Sequence, residues 1–130
     1  LKFSGDQLYT LFAPNSFDIV LCLEVLEHAK NWKQLINQIK YILISGGQLI
    51  LTCRGLRCQY HGDLGAGYND YYRFTKEEMS LIFADFFIKS LIDDDPIIPG
   101  ILLYATKPTI VNLDLVNPLT IDESYNPRND

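Results

Sequence analysis

The chain has 130 residues, 48% of them apolar and 21% charged, with a net charge of −5. That is enough for one globular domain and not two. The acidic balance excludes a general nucleic-acid binder, which needs a basic face. No run approaches the roughly 18 apolar residues of a membrane span.

Leu1–Ser4 reads as a short strand leading into Gly5-Asp6. This opening is strand-like rather than a secretory leader, and the lack of an initiator Met is that expected of a fragment. Residues 7–16 read as a loop closed by Ala-Pro-Asn-Ser. Phe17–Cys22 is a near-continuous apolar run, the pattern of a strand buried on both faces of a parallel sheet. Asn31 stands as an N-cap before Trp32, Leu35, Ile36, Ile39, Ile42 and Leu43, which follow at helical spacing. Lys33, Gln34, Asn37 and Lys40 fall on the other face. Gly46 suits the left-handed stop of that helix, and Gln48–Cys53 is the next buried strand.

Residues 54–74 form a long segment rich in Tyr and Arg, of the length expected of a functional loop. Thr75 and Glu78 make a capping box that opens a helix to about Phe83. Phe86–Ile92 and Ile101–Lys107 read as two further strands. The remainder, residues 108–130, carries three prolines and no long apolar face, and is expected to be an extended or disordered tail. Three cysteines cannot all pair; Cys22 and Cys53 read as buried small hydrophobes in a reduced, cytoplasmic compartment, without a zinc site.

In open α/β sheets, ligands sit beyond the carboxyl ends of the strands. Glu24, Glu27 and His28 fall there, immediately after the first apolar run. At spacing i, i+3 and i+4 a helical segment would bring them to one face, where a divalent metal is the alternative to a metal-free site. His28 and His61 are the candidate bases near neutral pH. Asp70, Tyr71, Tyr72 and Arg73 offer flat aromatic faces and a bidentate cation to a substrate, or else a structural anchor.

Phe17-Asp18, Leu26-Glu27-His28 and Gly46-Gly47, in that order and spacing, resemble the second half of the class I S-adenosylmethionine (SAM) dependent methyltransferases. The resemblance covers roughly residues 1–107 as a partial methyltransferase domain. It implies an α/β fold with a Rossmann-like, mostly parallel sheet, of spatial strand order 3-2-1-4-5-7-6 with the last strand reversed. The fold would lack its first two strands, and with them the Gly-x-Gly-x-Gly turn and the ribose-binding carboxylate. An open sheet edge at the Phe17–Cys22 strand would then favour self-association.

By position, the resemblance gives SAM contacts to Asp6, Gln7, Leu8, Cys22 and Leu23. Glu-x-x-Glu-His also resembles magnesium-dependent small-RNA 2′-O-methyltransferases and ubiquinone-pathway O-methyltransferases, which implies the metal-assisted alternative. Asp70-Tyr71-Tyr72-Arg73-Phe74-Thr75, after His61-Gly62, resembles a motif of enzymes tied to small-molecule and saccharide methylation. The acceptor expected from it is a small molecule. The rival expectation is a non-catalytic α/β remnant or interaction module.

Overall fold

The computed structural model describes residues 7–58 and 71–109. Four strands form one sheet in the order β1-β2-β4-β3: β1 is Phe17–Leu23, β2 Leu43–Cys53, β3 Phe87–Asp93 and β4 Ile101–Thr106. β1 and β2 are parallel, with Cys22 opposite Leu51, and β4 runs antiparallel to both β2 and β3. Helix α2, Trp32–Ile42, makes the crossover between the parallel pair. The order and the single reversed strand are those expected for the last four strands of the class I methyltransferase topology. The expected strand at Leu1–Ser4 lies outside the described residues, as does residue 110 onward.

Helix α2 and the shorter α3, Lys76–Ile82, supply the buried side chains on one face of the sheet. Leu35, Ile36 and Ile39 of α2 join Met79 and Ile82 of α3 in one core with Cys22, Leu49, Leu51, Cys53, Ile101 and Leu103. The strand residues of that core alternate along the chain, as the two-residue period of a pleated strand requires. Each fully buried Leu or Ile stabilises by about 1.5–3 kcal/mol. A single helical turn, α1 (Leu8–Leu11), packs on α2 where residues 7–16 read as loop: the Tyr9 N–H donates to Gln38 Oε1 at 3.2 Å, and the Tyr9 and Tyr41 rings meet edge-on.

The capping box of α3 forms as the sequence implies. Thr75 Oγ1 accepts from the Glu78 N–H at 3.1 Å, and Glu78 returns the bond to the Thr75 N–H at 3.0 Å. Asn31 occupies the N-cap position of α2 without a side-chain cap bond.

Three expectations are corrected. β1 is buried on one face only: Ile19, Leu21 and Leu23 are 55%, 60% and 49% exposed, because α2 and α3 lie on the opposite side. An apolar run thus marked a strand that lacks a second covering layer among the described residues. The α2 helix ends at Ile42, and β2 begins at once with Leu43, so Gly46 is not the helix stop. Gly46 takes φ +79° inside the β2 irregularity, where β1 advances from Phe17 to Ile19 while β2 advances from Leu43 to Gln48. Its N–H there donates to the Lys107 carbonyl.

Lys40 was expected on the polar face of α2 and is instead fully buried. Its Nζ donates to Asp85 Oδ1 at 2.8 Å and to the Ile82 carbonyl at 2.6 Å, and lies over the Phe83 and Phe86 rings. Burial lowers its pKa and the Asp85 carboxylate opposes that shift. The pair ties α2 to the end of α3. Lys40→Met should destabilise the chain by about 3 kcal/mol, because it strands a nearly buried carboxylate. Adding Asp85→Leu should recover most of that loss in urea melts; a double variant as weak as the single one would refute this pairing.

Candidate active site

Parallel pairing brings the carboxyl ends of β1 and β2 to one edge. Glu24 follows β1 there with φ +54°, a left-handed conformation that costs a non-glycine residue energy. Its N–H is held by Thr52, at 3.0 Å from the carbonyl and 3.1 Å from Oγ1. The strained turn sends the chain into a short 3-10 turn at Leu26–His28. Glu24 Oε1 faces Arg54 Nε at 3.5 Å across the top of β2.

Glu27 is fully buried, and among the described residues neither of its carboxylate oxygens has a donor in full hydrogen-bond geometry, its nearest polar contacts being the local backbone and the Glu24 carboxyl. His28 Nε2 lies 3.9 Å from Glu27 Oε1 and the imidazole is partly exposed. Burial first, and then the charge of Glu24, push the Glu27 carboxyl up to about 7. The two carboxyls act on each other as a close pair that resists double ionisation.

The segment Tyr71–Thr75 closes over this edge. The N–H groups of Tyr71 and Tyr72 both donate to the Glu27 carbonyl, at 2.8 and 3.2 Å, and Phe74 N–H donates to the Arg54 carbonyl. The Tyr72 hydroxyl donates to the Lys30 carbonyl. Trp32 at the start of α2 meets Phe74 and Tyr72 edge-on, with ring centroids 5.3 and 6.4 Å away. Arg73 is buried, and its guanidinium donates to the carbonyls of Cys58 and Tyr72. The motif therefore clasps the loops after β1 and β2 together.

Of the sequence-derived site residues, Glu24, Glu27, His28, Tyr71 and Tyr72 meet at this edge. Arg73 lies beneath it, bonded to backbone. Leu23 is exposed on the face away from the helices, whereas Cys22 points into the helix-side core. Burial, with the Glu27 charge second, raises the Cys22 thiol to about 12. Gln7 and Leu8 sit at the start of α1. Asp6, His61 and Asp70 lie outside the described residues.

The helical geometry behind the metal alternative is corrected. Among the described residues no three His, Cys, Asp or Glu side chains are grouped to hold a metal ion. The helical face assumed for Glu24, Glu27 and His28 does not exist, because Glu24 is left-handed and precedes the helical turn.

Sequence reasoning missed Thr52 and Gly55. A Cβ on Gly55 would collide with the Pro99 carbonyl, so the glycine lets the loop after β2 lie against the loop before β4. A glycine two residues beyond an apolar strand end was the available signal.

The site thus lies at the strand-end edge of a partial, Rossmann-like sheet. Residues 3–51 match the sequence model of the family described as Methyltransferase domain. An uncharacterized protein of Methanocaldococcus jannaschii is 42% identical over 51 residues, 39% of this chain and 22% of its own length. A SAM-dependent methyltransferase from Methanosarcina mazei superposes with TM-score 0.62 at 18% identity, over 83% of this chain and 66% of that one. An S-adenosylmethionine dependent methyltransferase from Mesorhizobium loti gives TM-score 0.62 at 14% identity, over 82% and 68%. The [4+2]-cyclase SpnF gives TM-score 0.63 at 16% identity, over 85% and 56%. The chain spans about a fifth of the curated relative and 56% to 68% of these structures. It resembles class I SAM-dependent methyltransferases in its partial fold and, over residues 3–51, in sequence.

The raised Glu27 carboxyl has a stability consequence. The unfolded chain releases this proton near 4.5, whereas the folded chain keeps it to about 7. In that window the folded state binds more protons, so this group makes stability fall as pH rises. Glu27→Gln should remove the fall and be more stable than the parent by about 3 kcal/mol at pH 8, with little difference at pH 4. Thermal melts across the range check it; parallel pH profiles for the two proteins would contradict it.

Proposed function

We propose that this chain forms the carboxyl-terminal part of a SAM-dependent methyl transfer domain that acts on a small-molecule acceptor. The observation that carries the reading is Glu27: a buried carboxyl that no cation or well-aligned donor of the described residues answers, at the strand-end edge where such sheets hold ligands. A group of this kind is costly unless a ligand or proton answers it.

SAM carries a sulfonium and an ammonium, and the carboxyls of Glu24 and Glu27 suit cationic groups. Those two residues would hold it on this side, with Asp6, Gln7 and Leu8 proposed for the adenine. When bound, SAM supplies an electrophilic methyl group for in-line displacement by the acceptor. The chain's own part is alignment and exclusion of water rather than covalent chemistry.

His28, partly exposed beside Glu27, can take a proton from a hydroxyl acceptor. His61 is the second proposed base. Tyr71 and Tyr72 supply the aromatic wall for the acceptor, Asp70 is a further proposed acceptor contact, and Arg73 holds that wall through the Cys58 carbonyl. A saccharide-related acceptor is the finer expectation, resting on the Asp-Tyr-Tyr-Arg-Phe-Thr resemblance alone.

The face of β1 that the described residues leave uncovered favours a second reading, a non-catalytic α/β module that serves association. The SpnF neighbour is described as a [4+2]-cyclase, so this sheet does not by itself fix a chemistry.

Titrating the labelled 130-residue chain with SAM while recording amide NMR spectra separates the readings. The glycine turn and ribose carboxylate are absent from the sequence, so affinity should be weak, near the millimolar level that corresponds to about −4 kcal/mol. Shifts should cluster at residues 23–28 and 52–55. No shifts at several times that concentration, or shifts confined to the opposite sheet edge, would reject the methyl-transfer reading of this edge.

A further inference from the structure

Unanswered polar atoms gather at one place in this fold. Among the described residues six buried side-chain polar atoms have no partner in full hydrogen-bond geometry, and four of them stand at the strand-end edge: Glu24 Oε2, both Glu27 carboxylate oxygens and Arg54 Nε. Native proteins leave few such groups, so a cluster of them points to a ligand. The three oxygens are acceptors, and they suit the cationic groups of SAM. Arg54 Nε is a donor on a cation and calls for an anion.

Arg54 is placed for that role by its backbone. It follows β2 directly, and its carbonyl accepts from the Phe74 N–H. That bond joins it to the segment of Tyr71 and Tyr72, the wall proposed for the acceptor. Among the described residues its side chain makes one ion pair, Nε to Glu24 Oε1 at 3.5 Å, with both side chains 39% exposed. A pair so loose and so hydrated is weak and exchanges readily. Arg73, the arginine that the sequence offered to a substrate, is instead buried against the carbonyls of Cys58 and Tyr72.

We propose that Arg54 binds an anionic group of the methyl acceptor, a carboxylate or a phosphate, and so selects acidic, ring-bearing acceptors. A guanidinium presents a planar fork of N–H donors that matches either oxyanion. The segment bonded to it adds the flat faces of Tyr71 and Tyr72. The chain as a whole carries a charge of −5, yet three of its four arginines, Arg54, Arg57 and Arg73, fall within residues 54–73. Arginine is thus concentrated in the segment that follows β2.

The proposal rests on the methyl-transfer reading, because the ion pair with Glu24 couples the two ligands. In the free chain Glu24 answers Arg54 and competes with an anion. A cation bound at Glu24 removes that competition, so SAM strengthens anion binding. By linkage the anion strengthens SAM binding by the same factor.

NMR titrations of the labelled chain at constant ionic strength test this, with benzoate and phenyl phosphate as the anions and benzyl alcohol as the neutral control. At least one anion should move the Arg54 Nε–H signal and the Tyr71 and Tyr72 amides, and benzyl alcohol should not. The tighter of the two anions names the acidic group. Arg54→Gln should weaken that anion about tenfold, and Arg54→Lys should keep part of the affinity. Excess SAM should strengthen anion binding in the parent and not in Arg54→Gln. Equal binding of benzyl alcohol, an anion affinity that survives Arg54→Gln, or SAM that competes with the anion would each overturn the proposal. In the last case Arg54 holds the cofactor's own carboxylate. SAM shifts at residues 23–28 with no response to either anion would overturn this proposal alone. An anion bound at Arg54 while SAM shifts nothing would reject the methyl-transfer reading and leave the anion site standing.

Discussion

Parallel pairing of β1 with β2 is the constraint on which the other features depend. Two parallel strands need a crossover, and helix α2 supplies it on one face of the sheet. That places the carboxyl ends of both strands together and commits one face to the core. The Thr52 bonds to the Glu24 N–H then fix the left-handed turn that starts the loop after β1. Without that turn Glu27 would not be carried under Tyr71 and Tyr72, whose N–H groups grip its carbonyl.

The polar groups buried in this fold are of two kinds. Lys40 with Asp85, and Lys107 with Asn15 and the Leu43 carbonyl, are answered within the chain and tie elements together. Arg73 joins them through backbone carbonyls. Glu27 differs: it is as deeply buried as Lys40, but among the described residues no cation or well-aligned donor answers its carboxylate, and its close neighbour is a second acid, Glu24. Structural polar groups are normally satisfied, so this exception marks the edge as a place for a ligand or a retained proton.

Much of this was legible in the sequence. The apolar runs at Phe17–Cys22 and Gln48–Cys53, the helical spacing between them and the Thr75–Glu78 box each gave an element of the right kind. The rest was hidden for physical reasons. A strand apolar on both sides reads the same whether or not a second layer covers it, so the exposure of Leu21 could not be seen. Lys40 reads as solvated because its partner Asp85 is distant in sequence. Gly46 next to Gly47 fits a helix stop as well as a strand irregularity, and the choice depends on the β1 register. At the site, the strand-end rule placed Glu24, Glu27 and His28 correctly at the edge. The helical spacing that suggested a metal failed because one backbone angle at Glu24 changes sign.

The central claim is that burial beside Glu24 pushes the Glu27 carboxyl up to about 7 and that a cationic ligand bound at this edge would bring it back down. Carbon-13 NMR of the Glu27 side-chain carboxyl, titrated with and without SAM, tests it directly. On this account the free chain titrates at about 7, and saturating SAM lowers that value because the ligand's positive charge favours the ionised form. A Glu27 carboxyl that titrates in the ordinary range of about 4.3, and does not respond to SAM, would contradict it.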